Sequence, residues 1–286
     1  MLKLDVVCPL CRADDEIDAV LAGLAAQKNI ILHKVVFPIT DTGDDLSVVI
    51  EKIQKAGYTY FLVPLADFSH SLTRQRAIFD YCESDVVLMI SQDARFAVED
   101  AAFALASAVN EECVYAYGRQ ICKKKTIERY IREKNYGKES FTVRNTDVER
   151  MQLFAFFASD AFSAYHRPTF VKVGGYDGIP MEMNEDMYYA KKVIDMGLQK
   201  AYVAEAVVEH SHKYTLKQLY QRYCATGEWF ARHPEFDAYK TTDSGLKLAL
   251  YVFKRALLGF NIPVLLRFLP DMSARYLGMK KGKKRG

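Results

Sequence analysis

No Gly-x-Gly-x-x-Gly follows the first apolar run, and no Gly-x-x-x-x-Gly-Lys-Ser/Thr occurs anywhere in the 286 residues. Dinucleotide oxidoreductases and P-loop enzymes are thereby disfavoured. The six cysteines (Cys8, Cys11, Cys82, Cys113, Cys122, Cys224) lack the paired spacing of a disulfide framework. Cys8 and Cys11 form one Cys-x-x-Cys with no second pair, whereas a structural zinc needs about four ligands. The cysteines therefore read as reduced, small hydrophobic residues. No apolar run reaches the roughly 20 residues that a membrane span needs. The apolar run Val6 to Leu10 meets Arg12, Asp14, Asp15 and Glu16 too soon for a signal peptide. The expected location is the cytoplasm.

Half of the residues are hydrophobic, enough for one large core with a helical appendage and no sign of disorder. Apolar runs at Leu4–Cys8, Ile30–Phe37, Tyr58–Val63, Asp85–Ser91 and Cys113–Tyr117 alternate with amphipathic stretches of helical length. This β-α-β-α pattern predicts an α/β fold with a mostly parallel central sheet flanked by helices. Ligands of such sheets bind beyond the carboxyl ends of the strands. Arg12, Asp41, Asp67, Asp93 and Arg119 follow the strands and are the first candidates. The stretch Gln120 to Arg150, rich in Lys and Arg, reads as an acceptor flap or a solvated connection, with a short helix at Thr126 to Lys134. A further strand is expected at Ala201 to Val208.

The net charge of +3 hides an asymmetry: Leu246 to Gly286 holds ten Lys or Arg against Asp271 alone, a net +9 that leaves −6 on the rest. A basic end on an acidic body points to an anionic surface, nucleic acid or the inner face of a membrane. Leu246 to Leu277 is apolar but interrupted by Lys254, Arg255, Pro263 and Arg267. It is expected to lie on a membrane as an amphipathic, helical basic extension; a packing arm with a solvated tail is the alternative.

Asp93, at the end of the fourth strand, can hold a divalent cation, Mg²⁺ or Mn²⁺, that stabilises charge on a departing diphosphate. His210 or His212, on one face of a continuing strand, can complete the coordination, although a lone histidine is more often structural. Glu185 and Asp186 open a helix after Gly174-Gly175. Asn184 is the expected N-cap, and Gly197 stops the helix. One of the two acids can serve as a general base kept ionised by the helix dipole, or both can be ordinary first-turn acids.

Together these runs resemble the family 2 GT-A glycosyltransferases, specifically the bacterial rhamnosyltransferase group, over most of the chain. His70-Ser71-Leu72-Thr73-Arg74-Gln75-Arg76-Ala77 resembles the family helix whose arginine faces the nucleotide diphosphate, which implies that role for Arg74. Ile90-Ser91-Gln92-Asp93-Ala94 is similar to a variant of the metal-binding Asp-x-Asp motif. Tyr117-Gly118-Arg119-Gln120 matches a stretch typical of the group. Phe162-Ser163-Ala164-Tyr165 and Gly174-Gly175-Tyr176-Asp177 resemble its acceptor-side segment. The resemblance implies that Arg119, Gln120, Tyr165, Gly174 and Gly175 are acceptor-side residues. Asn184-Glu185-Asp186-Met187 resembles the Glu-Asp motif, which makes Asp186 the catalytic base with Glu185 beside it. Val208 to Leu216 points to His210 as the metal ligand, with His212 as the alternative.

Two segments depart from the family pattern. Cys8-Pro9-Leu10-Cys11-Arg12 stands where members more often show Pro-Thr-Tyr-Asn, and Phe37-Pro38-Ile39-Thr40-Asp41 lacks the usual Asp-Ser-x-Ser. The implied donor-binding set is Pro9, Arg12, Asp41, Asp67, Arg74, Gln92 and Asp93. The implied activity is inverting transfer of a sugar, rhamnose from dTDP-rhamnose, to a hydroxyl of a lipid-linked or polysaccharide acceptor. A GT-A domain over residues 1–240 and a membrane-associating tail over 241–286 are expected, peripheral at the inner face of the cell membrane and without nucleic acid. The competing readings are a nucleotidyltransferase, which usually carries a Gly-rich basic loop absent from Cys8 to Asp14, and a non-catalytic basic module.

Overall fold

Strands buried on both faces read as near-continuous apolar runs, because helices cover both sides of a parallel sheet. The computed structural model, which describes residues 1–239 and 242–286, follows that pattern. β1 (Leu2–Val7), α1 (Ile17–Ala25), β2 (Ile30–Asp41), α2 (Ser47–Lys55) and β3 (Thr59–Pro64) come first. They are followed by α3 (His70–Tyr81), β4 (Val86–Ile90), β5 (Arg95–Phe96), α4 (Ala101–Ser107) and β6 (Cys113–Ile121). Next are α5 (Ile127–Asn135), β7 (Phe141–Val143), α6 (Val148–Met151), β8 (Phe162–His166) and α7 (Arg167–Lys172). The chain continues with α8 (Glu185–Asp195), β9 (Gln199–Glu209), α9 (Leu216–Arg232), α10 (Thr242–Leu258) and α11 (Ile262–Gly282).

The sheet order is β3-β2-β1-β4-β8-β6-β9-β5, with β7 beside β9. β1 pairs in parallel with β2 and β4, β2 with β3, and β6 with β9. β8 runs antiparallel between β4 and β6. Leu4, Val6, Leu88 and Ile90 face one core with α1, α2 and α4. Val7, Val87 and Met89 face the other with α3 and α8. That second core is rich in rings, with Tyr115, Tyr165, Phe170, Tyr176 and Tyr189 all fully buried.

The six expected strands are present within a few residues, whereas β5, β7 and β8 were not anticipated. The stretch expected as a flap contains α5 and β7. Ile127, Tyr130 and Ile131 of α5 are buried against Val252, Ala256 and Val264 of the C-terminal helices, so this segment has an apolar face to pack.

The C-terminal helices are docked. α11 lies along α9, and a Cβ added at Gly278 or Gly282 would run into the backbone carbonyls of Tyr220 and Cys224. Glycine there allows close backbone approach. Pro263 occupies the first turn of α11, where its missing N–H is harmless. Among the described residues no helix is long and apolar enough to cross a membrane. The expected domain boundary at 240/241 lies outside the described residues.

Candidate active site

Strand direction decides which loops meet. β1, β2, β4 and β9 end at one rim of the sheet, and β8, running the opposite way, begins there. The loops after β1, β4 and β9, the end of β2, the turn before β8 and the start of α8 enclose a pocket of about 330 Å³. Pro9, Arg74, Gln92, Asp93, Glu185, Asp186, His210 and His212 all line it.

One wall is a cluster of metal-ligand type. Asp93 Oδ1 lies 3.3 Å from His210 Nε2, and Oδ2 lies 3.2 Å from His212 Nδ1. The three candidate ligand atoms lie within 4.8 Å of one another. Burial alone would raise the Asp93 pKa, but the adjacent His210 and His212 bring it below the ordinary value. Burial first, then His210, lowers the His212 pKa to about 4. At neutral pH this leaves a carboxylate beside a neutral imidazole, donors suited to a divalent cation.

The opposite wall is the start of α8. Asn184 is the N-cap residue, as expected, but it adopts a left-handed φ of 58° and its side chain makes no capping bond. The next two residues face the pocket. Glu185 forms a buried ion pair with Arg74 of α3. Asp186 accepts the Met187 N–H at 2.7 Å and the Asp160 N–H at 3.4 Å. The helix dipole, expected to keep one of the two acids ionised, is opposed by the surroundings of Asp186. Burial, followed by the charges of Glu185 and Asp160, raises its pKa well above the ordinary value.

Sequence reasoning missed Asp160. Its carboxylate accepts hydroxyl bonds from Tyr115 (2.9 Å), Ser163 (2.7 Å), Tyr165 (2.6 Å) and Tyr176 (3.0 Å). Four donors make a buried carboxylate tolerable, and its backbone N–H holds Asp186. Asp160 precedes the start of β8 by two residues, so without that strand its position on the rim was invisible. Lys200 lies fully buried on β9 and donates to the Phe157 carbonyl. Burial takes its pKa down to about 7, against the pull of Asp186. His70, Ser159, Tyr214 and Arg222 also line the pocket.

Other expected site residues fall elsewhere. Arg12, with φ 51°, turns outward to Asp44 at 3.2 Å. Asp41 accepts the Gly43 N–H in a surface turn, and Asp67 is exposed on a short helical turn. None of the three lines the pocket. Gln92 does, and it clamps the Cys11 backbone through both ends of its amide, at 2.7 and 2.9 Å. Gln120 and Tyr165, expected on the acceptor side, are buried beneath the pocket surface. Arg119 follows a register shift in β6 and keeps a buried Nε without a partner. Gly174 and Gly175 form a turn after α7, with φ of 76° and 54°; Gly175 sits against Gln75 and Phe170, and both lie outside the pocket lining.

No protein-family model matches the chain. The O-antigen chain rhamnosyltransferase RfbN of Salmonella typhimurium is 30% identical over 291 residues, covering 99% of this chain and 90% of that protein. The chain belongs to the bacterial O-antigen rhamnosyltransferase family. A second relative, the O-antigen chain rhamnosyltransferase WbaN of Salmonella anatum, is 34% identical over 227 residues, 76% of this chain and 70% of that one. The chain has the GT-A fold. The mannosyltransferase PcManGT from Pyrobaculum calidifontis, solved in complex with GDP-Man and Mn2+, has a TM-score of 0.62 at 14% identity. The match covers 99% of this chain and 88% of that one. TarS 1-349 of S. aureus, solved in complex with UDP-GlcNAc, has a TM-score of 0.54 at 14% identity, covering 99% and 92%. Family membership makes this chain a glycosyltransferase and sets aside the nucleotidyltransferase and non-catalytic readings.

Proposed function

We propose that the enzyme transfers rhamnose from dTDP-rhamnose, with inversion, to a hydroxyl of a lipid-linked or polysaccharide acceptor. The observation that carries this reading is the convergence of Asp93, His210 and His212 on one wall of the pocket and Glu185–Asp186 on the other. Asp93 and His210, with His212 beside them, hold Mg²⁺ or Mn²⁺, which when bound offsets charge on the departing diphosphate. Pro9, Cys11, Thr40 and Phe68 border the nucleoside end of the pocket; Gln92 fixes that wall through the Cys11 backbone. Arg74 supplies positive charge toward the diphosphate while anchoring Glu185. Asp186 removes the acceptor hydroxyl's proton as it attacks, and its raised pKa makes it a stronger base than an exposed carboxylate. The base contributes roughly 10²–10⁴-fold to the rate.

The C-terminal helices are read as the surface that meets an anionic membrane, on the cytoplasmic side. Phe260, Leu266 and Leu269 are 87%, 77% and 72% exposed. Lys280, Lys281, Lys283, Lys284 and Arg285 follow, and each cation near an anionic leaflet adds about 1 kcal/mol.

Thermal unfolding with dTDP, UDP, GDP and CDP, each with Mn²⁺ or with chelator, tests the donor reading. Ligand at about 100 times its dissociation constant adds about 2.7 kcal/mol of stability. A metal-dependent rise in Tm with dTDP and not with the others is expected. A rise with UDP, GDP or CDP instead would reassign the donor, and no rise with any would remove the metal-assisted nucleotide site.

A further inference from the structure

Gln120 touches neither the pocket surface nor the mechanism above, yet it is 1% exposed and makes two side-chain hydrogen bonds directly behind the cation site. We infer that Gln120 is a positioning residue that, anchored by Ser159, fixes His210 in the tautomer whose Nε2 lone pair faces Asp93. The inference rests on the reading of Asp93, His210 and His212 as cation ligands.

The backbone brings the pieces together. Along the β6–β9 pairing Gly118 is opposite Val203 but Arg119 is opposite Val207, so β9 bulges at residues 204–206. Gly118 marks the point where the Phe162 ring and the Ala206 carbonyl crowd β6. Bulges of this kind re-aim side chains beside active sites. Beyond the shift Gln120 is opposite Val208, and the His210 N–H reaches the Ile121 carbonyl at 3.0 Å.

Hydrogen-bond accounting then sets the proton. Gln120 Nε2 donates to Ser159 Oγ at 2.7 Å, and Ser159 Oγ also accepts the Ala161 N–H at 3.4 Å. With its nitrogen turned to Ser159, the amide presents Oε1 to His210 Nδ1 at 2.9 Å. A carbonyl oxygen only accepts, so Nδ1 carries the hydrogen and Nε2 is bare. Nε2 faces Asp93 Oδ1 at 3.3 Å, and Asp93 Oδ2 faces His212 Nδ1 at 3.2 Å. Two acceptors opposed at that distance repel one another unless a cation sits with them. Gln120 therefore prepares the ligand before the cation arrives. Partners of this kind are worth about 10–100-fold in metal affinity.

Two measurements test this. In ¹⁵N-labelled, metal-free protein at mildly alkaline pH, His210, assigned by its loss in His210→Ala, should show a protonated Nδ1 and a bare Nε2. A protonated Nε2, donated to Asp93, would overturn the inference. Mn²⁺ titration followed by calorimetry should show Gln120→Leu weakened about 10–100-fold and Gln120→Glu close to wild type, since a carboxylate accepts the same N–H. Equal affinity of Gln120→Leu and wild type would also overturn it. Should Gln120→Leu fail to fold, Ser159→Ala keeps the amide but frees it to rotate; it should weaken Mn²⁺ binding and mix the two tautomers, and wild-type behaviour in both respects would count against the relay. If wild-type protein takes up no Mn²⁺, the cation reading itself fails, while the tautomer of His210 still decides the role of Gln120.

Discussion

The Arg74–Glu185 pair offers the sharpest test of how the pocket is held together. Both side chains are 7% exposed, and Glu185 shares its surroundings with Asp186 and Asp160. Arg74→Met removes the cation and leaves Glu185 buried among like charges. Breaking a buried pair on one side costs about 3–5 kcal/mol, which for a chain of this size corresponds to a Tm lower by on the order of 10 °C. The loss should depend on pH. In the wild type, burial raises the Glu185 pKa and Arg74 opposes it. Without Arg74 the folded-state pKa rises further above the unfolded value, so the folded state gains by binding a proton. The deficit of Arg74→Met is therefore full at pH above that raised pKa and shrinks as the solution is acidified. Arg74→Met/Glu185→Gln, which removes both charges, should regain most of the lost stability while still binding nucleotide weakly. Differential scanning calorimetry from pH 5 to 8 reads all of this. A single mutant as stable as wild type at pH 8, or a deficit that grows on acidification, would refute the reasoning.

Asp186→Asn should abolish transfer while nucleotide still raises Tm, and normal turnover would sink the base assignment. Because the base acts deprotonated and its pKa is raised, kcat/KM should fall with decreasing pH well above the ordinary carboxylate range; a flat profile down to pH 4.5 refutes this. Gly282→Val places a branched side chain against the Cys224 carbonyl. It should cost about 1–3 kcal/mol as overpacking, read by urea unfolding, and an unchanged midpoint would argue against the close helix crossing. Leu266→Ser/Leu269→Ser changes two exposed positions and should leave Tm nearly unchanged while reducing co-sedimentation with anionic liposomes. Undiminished co-sedimentation would remove the membrane reading.

The parallel half of the sheet was legible because β1 and β4 are buried on both faces, which forces unbroken apolar runs. β8 was not. Its five residues include Ser163 and His166, and what makes it a strand is the pair of neighbours it bridges, β4 and β6. Missing β8 also hid Asp160, whose place at the rim depends on strand direction. The rule that polar residues after parallel strands face the ligand located Asp93 but not Arg12 or Asp41. Position along a loop does not fix where a side chain points, and the left-handed backbone of Arg12 turns it outward. Gln120 was marked by its motif but assigned to the acceptor; only the register of β6 on β9 places it behind His210. Charge and apolar content left both a membrane surface and a packing arm open for the tail; only the structure shows that Gly278 and Gly282 seat α11 on α9.

The glycine seam gives that tail a mechanical meaning. Thr215 caps α9 through a reciprocal bond with Gln218, only three residues beyond His212. Close backbone approach at Gly278 and Gly282 seats α11 directly on α9, a helix that begins beside the Asp93–His210–His212 wall. A membrane that seats the outer side of α11 would thus set the angle at which the pocket opens, and with it the height above the lipid at which an acceptor hydroxyl can be reached.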